Sequence, residues 1–180
     1  MLEDKRLLWR VRQGDKDALR GIYEKYKDNM LAVATSLLHD SGAAEDVLHD
    51  VFVSFAMSVR KLRLRSSLRK YLITSVVNRV RDRFRIKKHH VVELDEVGPI
   101  GSDSESPERS AILTEELQLL TGALARLSLE QRETIVLHLK ADMKFKEIAK
   151  MQGISISTVQ GRYRYGLSKL RTILDGELKE

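Results

Sequence analysis

Cysteine is missing from all 180 residues, which rules out disulfide frameworks, thiolate metal sites and cysteine nucleophiles. Proline occurs only twice and aromatic residues make up 6% of the chain, a composition that suits helices. No apolar run reaches the roughly twenty residues needed to span a bilayer, and the opening MLEDKRLLWR lacks the apolar core of a signal peptide. A cytoplasmic protein with no membrane partner is the expectation. Hydrophobic residues make up 42% of the chain, enough for a folded core, and charged residues 32%. The formal net charge of +6, with a pI near 9.5, favours an anionic partner, nucleic acid or a membrane surface, and composition alone does not choose between them.

The distribution of charge says more than its total. Residues 1–59 carry eight Lys/Arg against ten Asp/Glu, whereas residues 60–90 carry twelve against the single acid Asp82. Residues 91–108 then hold six acids and no Lys or Arg, and residues 140–171 return to eight basic residues against two acids. Two basic modules joined by an acidic spacer is the organisation this implies. The spacer includes VGPIGSDSESPE, whose glycine, proline, serine and acid content resists packing.

Helical periodicity dominates on both sides of the spacer. Leu7, Leu8 and Val11 begin one stripe; after Gly14, Leu19, Ile22, Tyr23, Tyr26, Met30 and Leu37 continue it in one or two helices. Ser41-Gly42 reads as a break before a helix marked by Ala44, Val47, Val51, Phe52 and Phe55. A fourth helix starts near Ser66 or Ser67 and runs through Leu68, Leu72, Val76 and Val80. Beyond the spacer, Ser106-Pro107-Glu108 reads as a helix start, with Leu113, Leu117, Leu120 and Leu124 along one face. Ser128 and Gln131 form a capping box for a helix through Ile135, Val136 and Leu139. The only strand candidate is VVEL at residues 91–94. The fold class expected is all-α, two small helical domains joined by a flexible acidic linker.

Residues 145–170, FKEIAKMQGISISTVQGRYRYGLSKL, have the spacing of a helix-turn-helix. Ala149 is small where two helices cross, Gly153 permits the turn, and Val159 faces inward. Ser157 is placed to cap the second helix. Val159, Tyr163, Leu167 and Leu170 recur at the spacing of a buried stripe, leaving Thr158, Gln160, Arg162, Arg164 and Tyr165 exposed. An ordinary helical hairpin with solvated charges is the plainer alternative.

Two other stretches carry function. AEDVLHDVF at residues 44–52 gathers Glu45, Asp46, His49 and Asp50 on the polar part of an amphipathic helix. Acids on a DNA-binding chain should avoid phosphate, so this face suits a protein partner, although a merely solvated surface explains it as well. A metal or acid/base cluster would need a converging second element. YLITSVVNRVRDRFR at residues 71–85 sets Asn78, Asp82 and Arg85 on one helical face, widened by Arg79, Arg81 and Arg83. Such a surface neutralises phosphate, with Tyr71 and Phe84 available to stack unpaired bases and Asn78 to read a base edge. Asn78 and Asp82 could alternatively cap neighbouring backbone.

Together these motifs resemble the extracytoplasmic-function (ECF) sigma factors of bacterial RNA polymerase, over almost the whole chain. By that resemblance, residues 1–90 correspond to a σ2 domain for core polymerase binding and −10 recognition and melting. Residues 91–107 correspond to the linker, and residues 108–176 to a σ4 domain that reads the −35 element. The resemblance implies core RNA polymerase as partner through its β′ clamp and β flap, with Glu45, Asp46, His49, Asp50 and Phe52 on the clamp side. It assigns Tyr71, Asn78, Arg79, Asp82, Arg83 and Arg85 to the −10 element, and Ser157, Thr158, Gln160, Gly161, Arg162, Arg164 and Tyr165 to the −35 element. It implies promoter DNA and an anti-sigma factor as further partners, no cofactor, and no catalytic activity.

The chain departs from the family pattern at His49, where Gln is usual, at Tyr71, where Trp is usual, and at Ser128 in place of a common Pro. In the recognition helix Gln160-Gly161 replaces a basic-Ser pair and Tyr165-Gly166-Leu167 replaces Arg-Ala-Arg, so the −35 preference is its own. A stand-alone helix-turn-helix regulator does not require the basic helix with Asn78. A nuclease or recombinase would need clustered acids, and the basic blocks contain only Asp82, Asp142 and Glu147.

Overall fold

At Asp15, Asp40, Ser67, Ser128 and Ser155 a helix begins where a short polar side chain satisfies an unpaired backbone donor. The computed structural model describes residues 2–64, 66–93 and 115–177, and the described residues form eight helices and no strand. They are α1 (Leu2–Arg12), α2 (Lys16–Leu38), α3 (Ser41–Ser58), α4 (Leu68–Glu93), α5 (Glu115–Ala125), α6 (Leu129–Leu139), α7 (Phe145–Gln152) and α8 (Ile156–Glu177). Asp15 caps α2 by accepting from the Ala18 N–H at 2.9 Å, and Asp40 caps α3 by accepting from Ala43 at 2.9 Å. Ser67 accepts from Lys70 at the start of α4, and Ser128 and Gln131 form the expected reciprocal capping box on α6.

Helices α1 to α4 make the first bundle. The stripe from Leu19 to Leu37 lies on one 23-residue helix, α2, with Ile22, Met30, Val33 and Leu37 fully buried against α3 and α4. Ser41 and Gly42 lie within α3 itself. The break falls one residue pair earlier, at His39, whose φ of 56° ends α2, and at the capping Asp40. A left-handed residue followed by an Asp cap turns the chain without glycine. Val91 to Glu93 are the end of α4 rather than a strand, and the remainder of the expected linker and the Ser106-Pro107 helix start lie outside the described residues. Extending a helix adds one hydrogen bond per residue, whereas a lone strand has nothing to pair with.

Helices α5 to α8 make the second bundle, and α6 packs both on α8 and on α2 of the first. That double burial overrides the expected stripe on α6. Six consecutive residues, Arg132 to Leu137, are buried, while Leu139 is 60% exposed. Val136, Leu137, Met143, Ile148 and Val159 join the residues of the first bundle in one apolar core. Leu120 is exposed at the edge of α5, whose buried contacts come from Ala123 and, just beyond the helix, Leu127.

Charged groups seal the contact between bundles. The Arg132 guanidinium, 8% exposed, donates to the carbonyls of Leu37 at 2.6 Å, Leu124 at 3.0 Å and Ala125 at 2.9 Å. Glu133, 2% exposed, accepts from Arg81 Nε at 2.9 Å and from Gln152 Nε2 at 2.8 Å. Lys70 pairs with Glu147, and that bond holds the Glu147 carboxyl below its ordinary range. His39 sits beside this junction: neither ring nitrogen has a hydrogen-bond partner among the described residues, and burial, with repulsion from Arg132, pushes its pKa down to about 4.

Candidate nucleic-acid interface

The helix-turn-helix is built as its spacing requires. Gly153 closes α7 with φ +67° and sends its N–H to the Ala149 carbonyl, while Ala149 and Val159 are buried where α7 and α8 meet. The cap differs from expectation by two residues. Ser155 precedes α8, its hydroxyl accepting from the Thr158 N–H at 3.0 Å and its carbonyl from Val159, whereas Ser157 lies inside the first turn and bonds Ser155 Oγ at 2.7 Å. The turn from Gly153 needs one extended residue before helical geometry resumes, and Ser155 occupies the last non-helical position.

Stacking of His138 on Phe145 (4.4 Å between centroids), with Tyr163 edge-on to His138 at 5.0 Å, locks α6, α7 and α8 together. Tyr163, Leu167 and Leu170 are half-buried, and Gly166 is the buried residue of that row. A Cβ at Gly166 would lie 2.9 Å from Ile135 Cδ1, so where α8 crosses α6 an added methyl group would have to push the Ile135 side chain aside. The outer face presents Ser157, Thr158, Gln160, Arg164 and Tyr165, all exposed, with the Arg164 guanidinium 5.3 Å from the Tyr165 ring. Gly161 has open space around it, and Arg162 is half-buried, donating to Gln152 Oε1 at 3.1 Å.

On the first bundle, Tyr71, Ser75, Asn78, Arg79 and Asp82 line a shallow depression of about 250 Å³ against Val51 and Ser54 of α3. Asn78 is exposed in it, and Tyr71 rests its ring on Phe55 at 6.1 Å while keeping its outer side half open. Arg85 extends the face by donating to Asp82 at 2.9 Å. Phe84 does not join the depression; it packs against the core, some 20 Å further along the helix from Tyr71.

The acidic group on α3 divides between two faces. Asp50 and Asp46 turn toward α4 and pair with Arg79 and Arg83, each at 3.3 Å. Glu45, His49 and Phe52 rim a groove of about 670 Å³ between α2 and α3, floored by Tyr23, Leu31 and Leu48. Phe52 stands edge-on to Tyr23 at 4.9 Å, and Val53 beside it is 43% exposed. Among the described residues no group of His, Asp or Glu is arranged to hold a metal ion, and no helix is long and apolar enough to cross a membrane.

Arg132 and Glu133 are the residues that the reading of the sequence passed over. Their signal was present: both stand within a turn of Ile135 and Val136, and a charge in an apolar register must find partners inside. Arg81 likewise faces the second bundle rather than the outer basic surface.

A helix-turn-helix with an exposed polar face, joined in one chain to a basic helix bearing a shallow depression, has the form of a DNA-binding protein. Two family models agree with that arrangement, Sigma-70 region 2 over residues 22–90 and Sigma-70 region 4 over residues 123–172. The chain belongs to the sigma-70 family of RNA polymerase sigma factors, in its ECF group. It is 26% identical over 173 residues to the RNA polymerase sigma factor CarQ of Myxococcus xanthus, covering 94% of this chain and 96% of CarQ. It is 24% identical to the ECF sigma factor SigW of Bacillus subtilis, covering 93% and 94%. Among solved structures, the fold is similar to the sigma factor RpoE of Bartonella quintana in complex with the anti-sigma factor NepR. That match has a TM-score of 0.73 at 22% identity and covers 87% of this chain and 96% of RpoE. CnrH in complex with the cytosolic domain of CnrY gives 0.71 at 22% identity, covering 97% and 98%.

Proposed function

We propose that this sigma factor reads the −10 element with the Asn78 depression and the −35 element with the outer face of α8, while docking on core polymerase through the α2–α3 groove. Residues 1–90 act as the σ2 domain, 91–107 as the linker and 108–176 as the σ4 domain. Tyr71, Asn78, Arg79, Asp82, Arg83 and Arg85 meet the −10 region, with Asn78 hydrogen-bonding the edge of an extruded base. Ser157, Thr158, Gln160, Gly161, Arg162, Arg164 and Tyr165 meet the −35 region, where an arginine reads guanine and Gln160 adenine. Glu45, His49, Phe52 and Val53 present the groove to the β′ clamp, and Asp46 and Asp50 become available once their arginines turn to phosphate. The observation that carries this reading is the coexistence of the exposed α8 face with the Asn78 depression, which a reader of duplex alone does not need.

Opening needs no nucleotide hydrolysis, because contacts to extruded bases offset their unstacking, and the chain acts in the cytoplasm without catalysis of its own. The packed bundles cannot span both elements. These lie about two turns of duplex, roughly 70 Å, apart, so the α6–α2 contact must part when the promoter is bound. An anti-sigma factor is a further partner; RpoE is bound to one, and a factor that grips both bundles would hold this chain shut.

Transcription in vitro with purified core polymerase on genomic promoter fragments tests the reading. Asn78→Ala should lower open-complex formation about tenfold while leaving polymerase affinity unchanged, the loss expected for one base-edge contact. Val53→Asp should do the reverse. Tight duplex binding by the chain alone, with no promoter-dependent initiation from any fragment, would overturn it.

A further inference from the structure

Gln152 ends α7, just before the turn, and both ends of its amide meet charged groups of opposite sign. Its Nε2 donates to Glu133 of α6 at 2.8 Å, and its Oε1 accepts from the Arg162 guanidinium of α8 at 3.1 Å. These partners fix which way the amide points, because the reverse orientation would set carbonyl against carboxylate and NH2 against guanidinium. Glu133 is a firm anchor, since it is buried and takes two further bonds from Arg81. A link that only fastened α7 to α6 would need the Nε2 end alone. The Oε1 end reaches instead to a residue of the DNA-reading helix.

Arg162 lies one turn after Thr158 and three residues before Tyr165, both exposed on the outer face of α8. It is half-buried, and among the described residues its one bond is to Gln152 and it pairs with no carboxylate. Acids are nevertheless close. The Glu130 carboxyl is held below its ordinary range first by its own backbone N–H and, at longer reach, by the charges of Arg162 and Arg81. Glu133 stands one turn further along α6 and meets Arg162 only through the amide. A guanidinium left to itself beside two carboxylates would turn inward and pair with them. The amide holds one N–H of the fork and keeps the charge a side-chain group away from Glu133. This anchor survives when the bundles part, because Glu133, Gln152 and Arg162 all belong to the second bundle and only Arg81 leaves with the first.

We infer that Gln152 sets the −35 preference by positioning: anchored on Glu133, it stops Arg162 from collapsing onto that carboxylate and presents the rest of the guanidinium to one base pair. This rests on the placement of α8 on the −35 element proposed above and adds to it a residue that does not itself touch DNA. A free arginine settles against a phosphate as readily as a base. One already held by a corner loses less freedom on binding and meets the two acceptors of guanine in a single orientation.

The test uses holoenzyme assembled on core polymerase and a promoter that the wild-type chain transcribes, with each base pair of the −35 element replaced in turn. Arg162→Ala should abolish the preference at one pair. Gln152→Met, close to Gln in length and volume but without the amide, should lower that same preference about fivefold. Preferences at the other pairs and affinity for duplex without a promoter should stay as they are. In the Arg162→Ala background, Gln152→Met should change nothing further. Full preference in Gln152→Met at the pair where Arg162→Ala has lost it overturns the positioning role and leaves the reading by α8 standing. So does an equal loss at every pair, which would make Gln152 a link of the fold alone. An unchanged preference at every pair in Arg162→Ala sinks instead the placement of Arg162 on DNA, and the anchor with it.

Discussion

Helices α4 and α8 are both rich in arginine, yet their charges are in opposite conditions. On α4, Arg79, Arg81, Arg83 and Arg85 each meet a carboxylate, from Asp50, Glu133, Asp46 and Asp82. On the outer face of α8, Arg164 and Lys169 meet none among the described residues. The same residue type is masked on one helix and displayed on the other. The difference teaches that a basic sequence is not yet a basic surface: α4 faces the acids of α3 and α6 across a packed seam, while nothing in the fold faces the far side of α8. Under the function proposed above, DNA meets α8 directly but has to displace acids from α4, so melting is the step expected to depend on rearrangement.

The largest effect should come from cutting the seam at Arg132. Arg132→Ala removes its hydrogen bonds to four carbonyls, that of Leu37 across the bundle contact, and should cost about 3 kcal/mol in chemical denaturation. A cost below about 1 kcal/mol would mean the bundles are hardly coupled and the masking of α4 is incidental. Glu133→Gln is milder and more pointed. It frees Arg81 without emptying the site, so the salt dependence of single-strand binding should steepen by about one unit of slope, with that of duplex binding to α8 unchanged. An equal change in both would break the distinction between the two helices.

Acid should loosen the same seam through His39. Its folded pKa of about 4 lies below the unfolded value near 6.5, so between those values the unfolded chain binds more protons. Stability is therefore full above pH 6.5 and falls as the pH drops toward 4, by about 1 kcal/mol after allowance for the ring's partial exposure. His39→Asn, which tolerates positive φ and takes up no proton, should flatten that slope in urea denaturation followed at several pH values. The smallest expected effect separates two glycines of α8. Gly161→Ala meets open space and should stabilise the helix by about 0.5 kcal/mol, whereas Gly166→Ala should show no such gain, because its methyl group would strike Ile135 and Gln131 of α6. Thermal melts of the two variants provide the check.

Much of this was readable from residue order because it is local. The caps at Ser67 and Ser128, the turn at Gly153 and the inward Val159 depend on neighbours within a few positions, and periodicity exposes them. The near misses are local too: a two-residue shift of the cap from Ser157 to Ser155, where several serines compete for one place, and a break at His39-Asp40 that used no glycine. The division of the α3 acids was not readable, since Asp46 and Asp50 look the same as Glu45 and His49 until α4 is laid against one side of the helix.

The sequence by itself determined that this protein is helical, basic in two blocks and equipped with a helix-turn-helix and a second, arginine-rich helix, because each rests on spacing along one chain segment. Only the tertiary structure decided that α6 is buried between two bundles, that Arg132 and Glu133 fasten them, and that the cations of α4 are already engaged. Those facts join residues up to 95 positions apart, as between Leu37 and Arg132, and no periodicity reports a contact made across such a distance.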